Sequence, residues 1–242
     1  MADPSSALAT HVDKWHQRQP EMAVAEVFVP AAQRPLFRAW GALGNELLEA
    51  CFEVADAGVA RTKLAWWVQD LSAGEGARHP LARALRAAGA GEVPATLWRD
   101  FLLHATPLCA VAPESDDSDV DADLERLRPL AQALAVIEAS VLGVAVDASA
   151  DALAVHLYAR RHLWRQSTAD AALRPRAQRL LERFTVGGSS VLAACRARAD
   201  RRRLRRLARH GDPQRARERS HWQTLWDSWR AAGAVARARG RA

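Results

Sequence analysis

Three glutamates are spaced so that they share one face of a predicted helix: Glu46, Glu49 and Glu53. At 100° per residue they fall within about 60° of one another around the helix axis. Three carboxylates on one face could bind Mg²⁺, a hard cation that prefers oxygen ligands. The alternative, which the spacing alone favours, is a charged face turned to solvent.

A run of arginines towards the end of the chain could bind anions. Arg198, Arg201, Arg205 and Arg209 recur at spacings of three and four and so share a helical face. The last predicted helix carries tryptophans at helical spacing: Trp222, Trp226 and Trp229. Arginine and tryptophan together could bind nucleic acid through phosphate contacts and stacking, and arginine attracts anionic lipid. Because a tryptophan stripe is more often part of a core, we expect no nucleic-acid partner and a solvated arginine face that reflects codon bias.

Several short motifs follow one another in a recognisable order. Val27-Phe28-Val29-Pro30 precedes Arg34 and a long helical pattern, then Lys63-Leu64-Ala65-Trp66-Trp67, then a helix that starts at His79-Pro80. This order resembles the squalene/phytoene synthase family, with its FLP-like entry, arginine, K-L-x-W-W helix and H-P-x-x-x-A-L helix. Residues 206–213 and 225–230 are also similar to the closing helices of a divergent bacterial branch of that family.

The resemblance implies an all-α isoprenoid (terpenoid) synthase fold. Active members hold Mg²⁺ on two D-x-x-x-D-type motifs, and the metal ions neutralise the departing diphosphate. Alignment on the shared motifs places the first acidic motif near residues 48–52, where only Glu49 is acidic. The second should lie within residues 152–163, where Arg160, Arg161 and His162 stand in place of acidic residues.

We therefore predict a catalytically degenerate relative of these enzymes that binds an isoprenoid or other lipid, or acts as a partner or assembly protein. The family includes members without catalysis, among them a mitochondrial assembly factor for respiratory complex I. Two alternatives stay open: an active head-to-head prenyltransferase that condenses prenyl diphosphates with Mg²⁺, and a nucleic-acid or membrane-surface binder. No cofactor is expected unless the prenyltransferase alternative holds.

Candidate site residues fall into three groups, and no metal ligand is assigned outside the first. The residual acidic cluster is Glu46, Glu49 and Glu53. The candidates for binding a diphosphate or similar ligand are Arg34, Arg160, Arg161 and Arg165. The candidates for lining a cavity are Trp40, Trp66 and Tyr158.

Trp66 and Trp67 should not be equivalent. On a helix neighbouring residues point about 100° apart, so the two rings cannot face the same contact. Trp67 shares a face with Leu64 and Leu71, which predicts a buried position. We expect Trp66 to line a cavity or a neighbouring helix.

Composition predicts the kind of fold that positions these residues. The chain has 242 residues and a net charge of +6, and its two lysines are Lys14 and Lys63. Helix-forming residues dominate, which predicts an all-α, single-domain bundle over residues 1–242. Within it we expect a weakly ordered N-terminus (about 1–20), an acidic loop (about 113–121) and a frayed basic C-terminus (about 233–242). Three scattered cysteines and no visible signal peptide favour the cytoplasm, with peripheral association at the inner membrane face left open.

Overall fold

The protein is all-α. The computed structural model describes residues 4–110, 119–146, 149–164, 166, 168–185, 189–217 and 220–239, and within these ranges it contains helices and no strand. The prediction of an all-α fold is therefore confirmed, whereas its isoprenoid-synthase form stays a prediction. The chain divides into two compact units: Met1–Ala112 with Val136–Ala145, and Pro113–Ala135 with Val146–Ala242. That they act as one domain also remains a prediction.

The first unit contains six complete α-helices and the end of a seventh. They are α1 (Pro4–Arg18), α2 (Pro20–Ala25), α3 (Arg34–Phe52), α4 (Ala57–Ser72), α5 (Pro80–Ala87), α6 (Ala95–Ala105) and α7 (Val120–Leu142). Short 3₁₀ turns lie at Glu26–Phe28, Ala31–Gln33, Gly74–Gly76 and Thr106–Ala110. Helix α3 packs against α1, α4 and α5, so it is the central helix of this unit.

The N-terminal helix differs from the weakly ordered segment that the sequence predicts. Trp15 of α1 is only 2% exposed and lies over Gly41 of α3. A Cβ atom at position 41 would come within 2.3 Å of the Trp15 ring, so this crossing requires glycine. A buried tryptophan therefore fixes α1 to the core, an effect that the polar sequence of α1 conceals.

The second unit contains the start of α7 and five further α-helices. They are α8 (Ser149–Tyr158), α9 (Leu173–Arg183), α10 (Val191–His210), α11 (Pro213–Arg217) and α12 (His221–Arg239), with a π-helical turn at Ala159–Leu163. Helix α10 packs against α8, α9, α11 and α12. Ser190 caps its first turn, and Gly211 ends it in the left-handed conformation at φ 65°.

The C-terminal helix also differs from the frayed segment expected at about 233–242. Within the described part, α12 continues to Arg239, and Ala231 and Val235 are buried. None of the helices in the described ranges combines the length and apolarity that crossing a membrane requires.

Candidate functional site

The three glutamates of α3 form a cluster, here called the carboxylate cluster (Glu46, Glu49 and Glu53), on the side of α3 that α1 covers. Glu46 is only 4% exposed, and Glu49 and Glu53 are half-buried. The interpretation as a solvent face is therefore wrong for Glu46. The reason is that α1 packs across this face, which the spacing along α3 alone does not reveal.

Three cations neutralise the carboxylate cluster. The Lys14 ammonium lies 2.8 Å from Glu46 Oε1 and 2.8 Å from Glu49 Oε2. Arg18 lies 3.1 Å from Glu49 and 2.5 Å from Glu53. Lys63 of α4 lies 4.0 Å from Glu46 and 3.9 Å from Glu49. Both lysines of the chain thus serve one cluster, and sequence reasoning missed them as partners.

The electrostatics around Glu46 favour its ionised form. Burial raises the pKa of Glu46, but Lys14, His11 and Lys63 together outweigh burial and leave that pKa below its usual value. Burial lowers the pKa of Lys14, but its hydrogen bonds to Glu46 and Glu49 leave it raised. Within the described residues there is no group of three His, Cys, Asp or Glu side chains suited to holding a metal ion. The cluster is therefore a compact ion-pair network that links α1, α3 and α4.

The K-L-x-W-W and H-P motifs meet each other in space. The Trp67 ring lies 4.3 Å from the His79 ring, and Trp66 lies 5.8 Å from it. Trp67 is 2% exposed and Trp66 is 41% exposed, so the prediction that Trp67 is the buried member is confirmed. His79 caps the first turn of α5, because its Nδ1 accepts a hydrogen bond from the Leu81 amide N–H at 3.1 Å. Burial, with the His11 charge next, lowers the pKa of His79 to about 4.

Two further candidates have structural partners within the first unit. Arg34 donates from Nε to the Val29 carbonyl at 3.0 Å and from Nη2 to the Val27 carbonyl at 3.3 Å. Trp40 is buried, and its indole nitrogen donates to Glu138 at 3.1 Å. These contacts hold the entry to α3 and the end of α7.

The remaining candidates lie in the second unit, around the π-helical turn. Arg160, Arg161 and Tyr158 are buried, and the Tyr158 ring lies 4.6 Å from His162. His162 Nε2 lies 3.6 Å from an Asp123 carboxylate oxygen, and burial lowers the pKa of His162 to about 4. Arg165 lies outside the described residues.

A groove between α10 and α12, here called the arginine groove, has a cavity volume of about 530 Å³. Its lining consists of Arg198, Arg201, Arg202, Arg205, Arg206, Arg209, Trp222, Gln223, Trp226 and Asp227. Trp222 is 82% exposed and Trp226 57% exposed, so the expectation that these rings are core residues is wrong. Trp229 is exposed as well.

The six groove arginines fall into two sets. Arg202 forms an ion pair with Asp227 and a hydrogen bond to the Gln223 carbonyl, and Arg206 donates to the Gln223 side chain at 2.9 Å. These two fasten α10 to α12. The other four have no ion pair with any residue of the described ranges: Arg198, Arg201, Arg205 and Arg209.

The described end of the acidic loop pairs with α9 and not with the groove arginines. Asp119 lies 3.8 Å from Arg179, and Asp121 lies 3.2 Å from Arg183, both on α9. Residues 111–118, which include most of the predicted loop at about 113–121, lie outside the described residues.

No family model, curated protein or solved structure matches this chain. The assignment of function therefore rests on the residues and their geometry.

Proposed function

We propose that this protein is a catalytically degenerate, squalene/phytoene-synthase-like binding protein. The observation that carries the proposal is the neutralised carboxylate cluster. The α3 glutamates lie where the resemblance places the first metal-binding motif, and each already has a cation from its own unit.

A magnesium ion at this cluster would meet strong repulsion. Lys14 lies 2.8 Å from the two carboxylates that would have to bind the metal. Two unit charges 4 Å apart interact by about 4 kcal/mol at an effective dielectric constant of 20, and a divalent ion doubles that figure. Binding would thus require displacement of Lys14 and loss of its ion pairs with Glu46 and Glu49.

The basic residues at the second motif support the same proposal. Arg160 and Arg161 occupy positions where the enzymes carry acidic residues, and both are buried. Cationic side chains cannot hold Mg²⁺, although they can bind a phosphate group directly. We therefore propose an isoprenoid or other lipid as ligand, or a protein partner in an assembly role, in the cytoplasm or at the inner membrane face.

The test combines turnover with metal binding. Purified protein is incubated with farnesyl or geranylgeranyl diphosphate and Mg²⁺, and we expect no C30 or C40 product. In parallel, thermal unfolding is followed with and without Mg²⁺, and we expect the same midpoint. Steady formation of a condensed product would overturn the proposal in favour of the prenyltransferase alternative.

A charge variant adds a second readout. Lys14→Gln removes the cation between Glu46 and Glu49, whereas Arg61→Gln removes an exposed charge from α4 with no ion pair in the described ranges. We expect Lys14→Gln to be destabilised and Arg61→Gln to unfold like the unmodified protein. An unchanged unfolding midpoint in Lys14→Gln would contradict the structural role of the cluster.

A further inference from the structure

Six arginines line the arginine groove, and they carry more positive charge than the described residues of the lining neutralise. Asp227 is the single carboxylate in its lining, and Arg202 already pairs with it. The four arginines of the second set therefore face the groove without a carboxylate partner in the described part of the chain. A cavity of this kind favours a ligand with several negative charges.

Two of these arginines have a buried donor atom without a hydrogen-bond acceptor in the described residues. The Nε atoms of Arg198 and Arg201 are buried and have no hydrogen-bond partner among the described residues. Burial, with the nearby Arg230 charge next, lowers the pKa of Arg198. A partly buried cation without a counter-ion is costly, so an anion beside these two guanidinium groups in the groove would lower that cost.

The arginines are spaced along the groove rather than gathered at one point. At 1.5 Å per residue, successive members of the set are about 4.5–6 Å apart along α10, and Arg198 to Arg209 spans about 16 Å. A single small anion would contact one or two of them. A chain of phosphates would contact all four.

Exposed aromatic rings lie along the same groove. Trp222 and Trp226 belong to its lining, and Trp226 lies 5.0 Å from the Trp229 ring. Bases of single-stranded nucleic acid stack on such rings while arginines bind the backbone.

We propose that the arginine groove binds a single strand of nucleic acid. Its phosphates contact the second set of arginines, and its bases stack on Trp222 and Trp226. A membrane surface fits less well, because these arginines line a concave groove between two helices that a flat bilayer does not enter. A duplex fits less well because its bases are stacked on each other. This binding function is separate from the proposed lack of catalysis.

The first experiment measures binding of the full chain to labelled oligo(dT) and oligo(U) by fluorescence anisotropy at about 50 and 200 mM salt. Four phosphate contacts predict a slope of about −2.8 in log K against log salt, hence binding about fifty-fold weaker at the higher salt. The same strands should quench tryptophan fluorescence, a readout that needs no variant. Salt-independent or undetectable strand binding would overturn the proposal.

Matched variants locate the site. The variant R198Q/R201Q/R205Q/R209Q removes the second set, and R61Q/R83Q/R86Q/R99Q removes the same charge from exposed positions of the first unit. We expect the groove variant to bind at least tenfold more weakly than the control variant. W222A/W226A should also weaken binding at least tenfold while keeping the salt slope, and W222F/W226F should retain most affinity. Circular dichroism checks the fold of each variant.

Three results would contradict the proposal. The first is equal strand binding by the groove and control variants. The second is duplex DNA that binds as tightly as the single strand. The third is binding to phosphatidylserine vesicles, lost in the groove variant, with no binding to either strand, which would assign the groove to a membrane surface instead.

Discussion

Replacing Trp67 tests whether the tandem tryptophans are a structural feature of the first unit. Trp67 is 2% exposed, whereas its neighbour Trp66 is 41% exposed. The pair therefore provides a matched comparison, with the same residue type on the same helix and different burial. We expect Trp67→Ala to be clearly more destabilising than Trp66→Ala.

The magnitude follows from area and from one unpaired donor. A buried tryptophan removes roughly 200 Å² from water, worth about 5 kcal/mol at 25 cal/mol per Å². The indole N–H of Trp67 is buried without an acceptor in the described residues, which offsets about 1–3 kcal/mol of that gain. Trp67→Ala should therefore lower the free energy of unfolding by about 2–4 kcal/mol, and Trp66→Ala by a smaller amount, about 1 kcal/mol or less.

The assay is urea unfolding followed by far-UV circular dichroism, which does not depend on the removed fluorophores. Trp67→Phe adds a check, because it keeps an aromatic ring and removes the unpaired N–H. We expect its unfolding free energy to lie within about 1 kcal/mol of the unmodified protein. Equal losses for the two alanine variants, or a larger loss for Trp66→Ala, would refute the reasoning.

Three further predictions concern titratable groups. The folded pKa of His162 is about 4 against 6.5 for the free side chain, so its contribution to stability is complete above pH 6.5 and falls as the pH drops towards 4. His162 alone should contribute about 2 kcal/mol to the difference in unfolding free energy between pH 7 and pH 5, measured by urea unfolding. His162→Gln should reduce that difference by about this amount, and an unchanged difference would contradict the assignment. Lys14→Met leaves the Glu46 carboxylate buried without its nearest cation, and urea unfolding should show a loss of about 2–4 kcal/mol, whereas no loss would contradict the ion-pair assignment. Burial raises the pKa of Cys195 to about 12, so a disulfide reagent should label this thiol only after unfolding; rapid labelling of the native protein would be inconsistent with its position.

What the sequence predicts well is local to a helix. The all-α fold follows from composition, and the different burial of Trp66 and Trp67 follows from 100° per residue and the neighbouring leucines. These features depend on residues within a few turns of one another.

What the sequence predicts poorly is the environment of a helical face. The glutamate stripe indicates that Glu46 and Glu49 share a face, but Lys14, which covers it, lies 32 residues before Glu46. The tryptophan stripe of α12 likewise does not reveal which face of that helix is buried. The face of α12 that is buried carries small side chains: Thr224, Ser228, Ala231 and Val235. Hydrophobicity predicts that the largest residues of α12 form the core. The buried residues are instead the small ones, which allow another helix to approach closely.

The placement of both lysines at the carboxylate cluster makes the cluster observable by proteolysis. A protease that cleaves only after lysine has two sites in 242 residues, at Lys14 and Lys63. Both lie inside helices of the first unit, next to Glu46 and Glu49. Cleavage at either site requires that α1 or α4 open locally, because a helical backbone does not fit an extended protease cleft. The rate of cutting by such an enzyme thus measures how often the ion-pair network of the first unit comes apart.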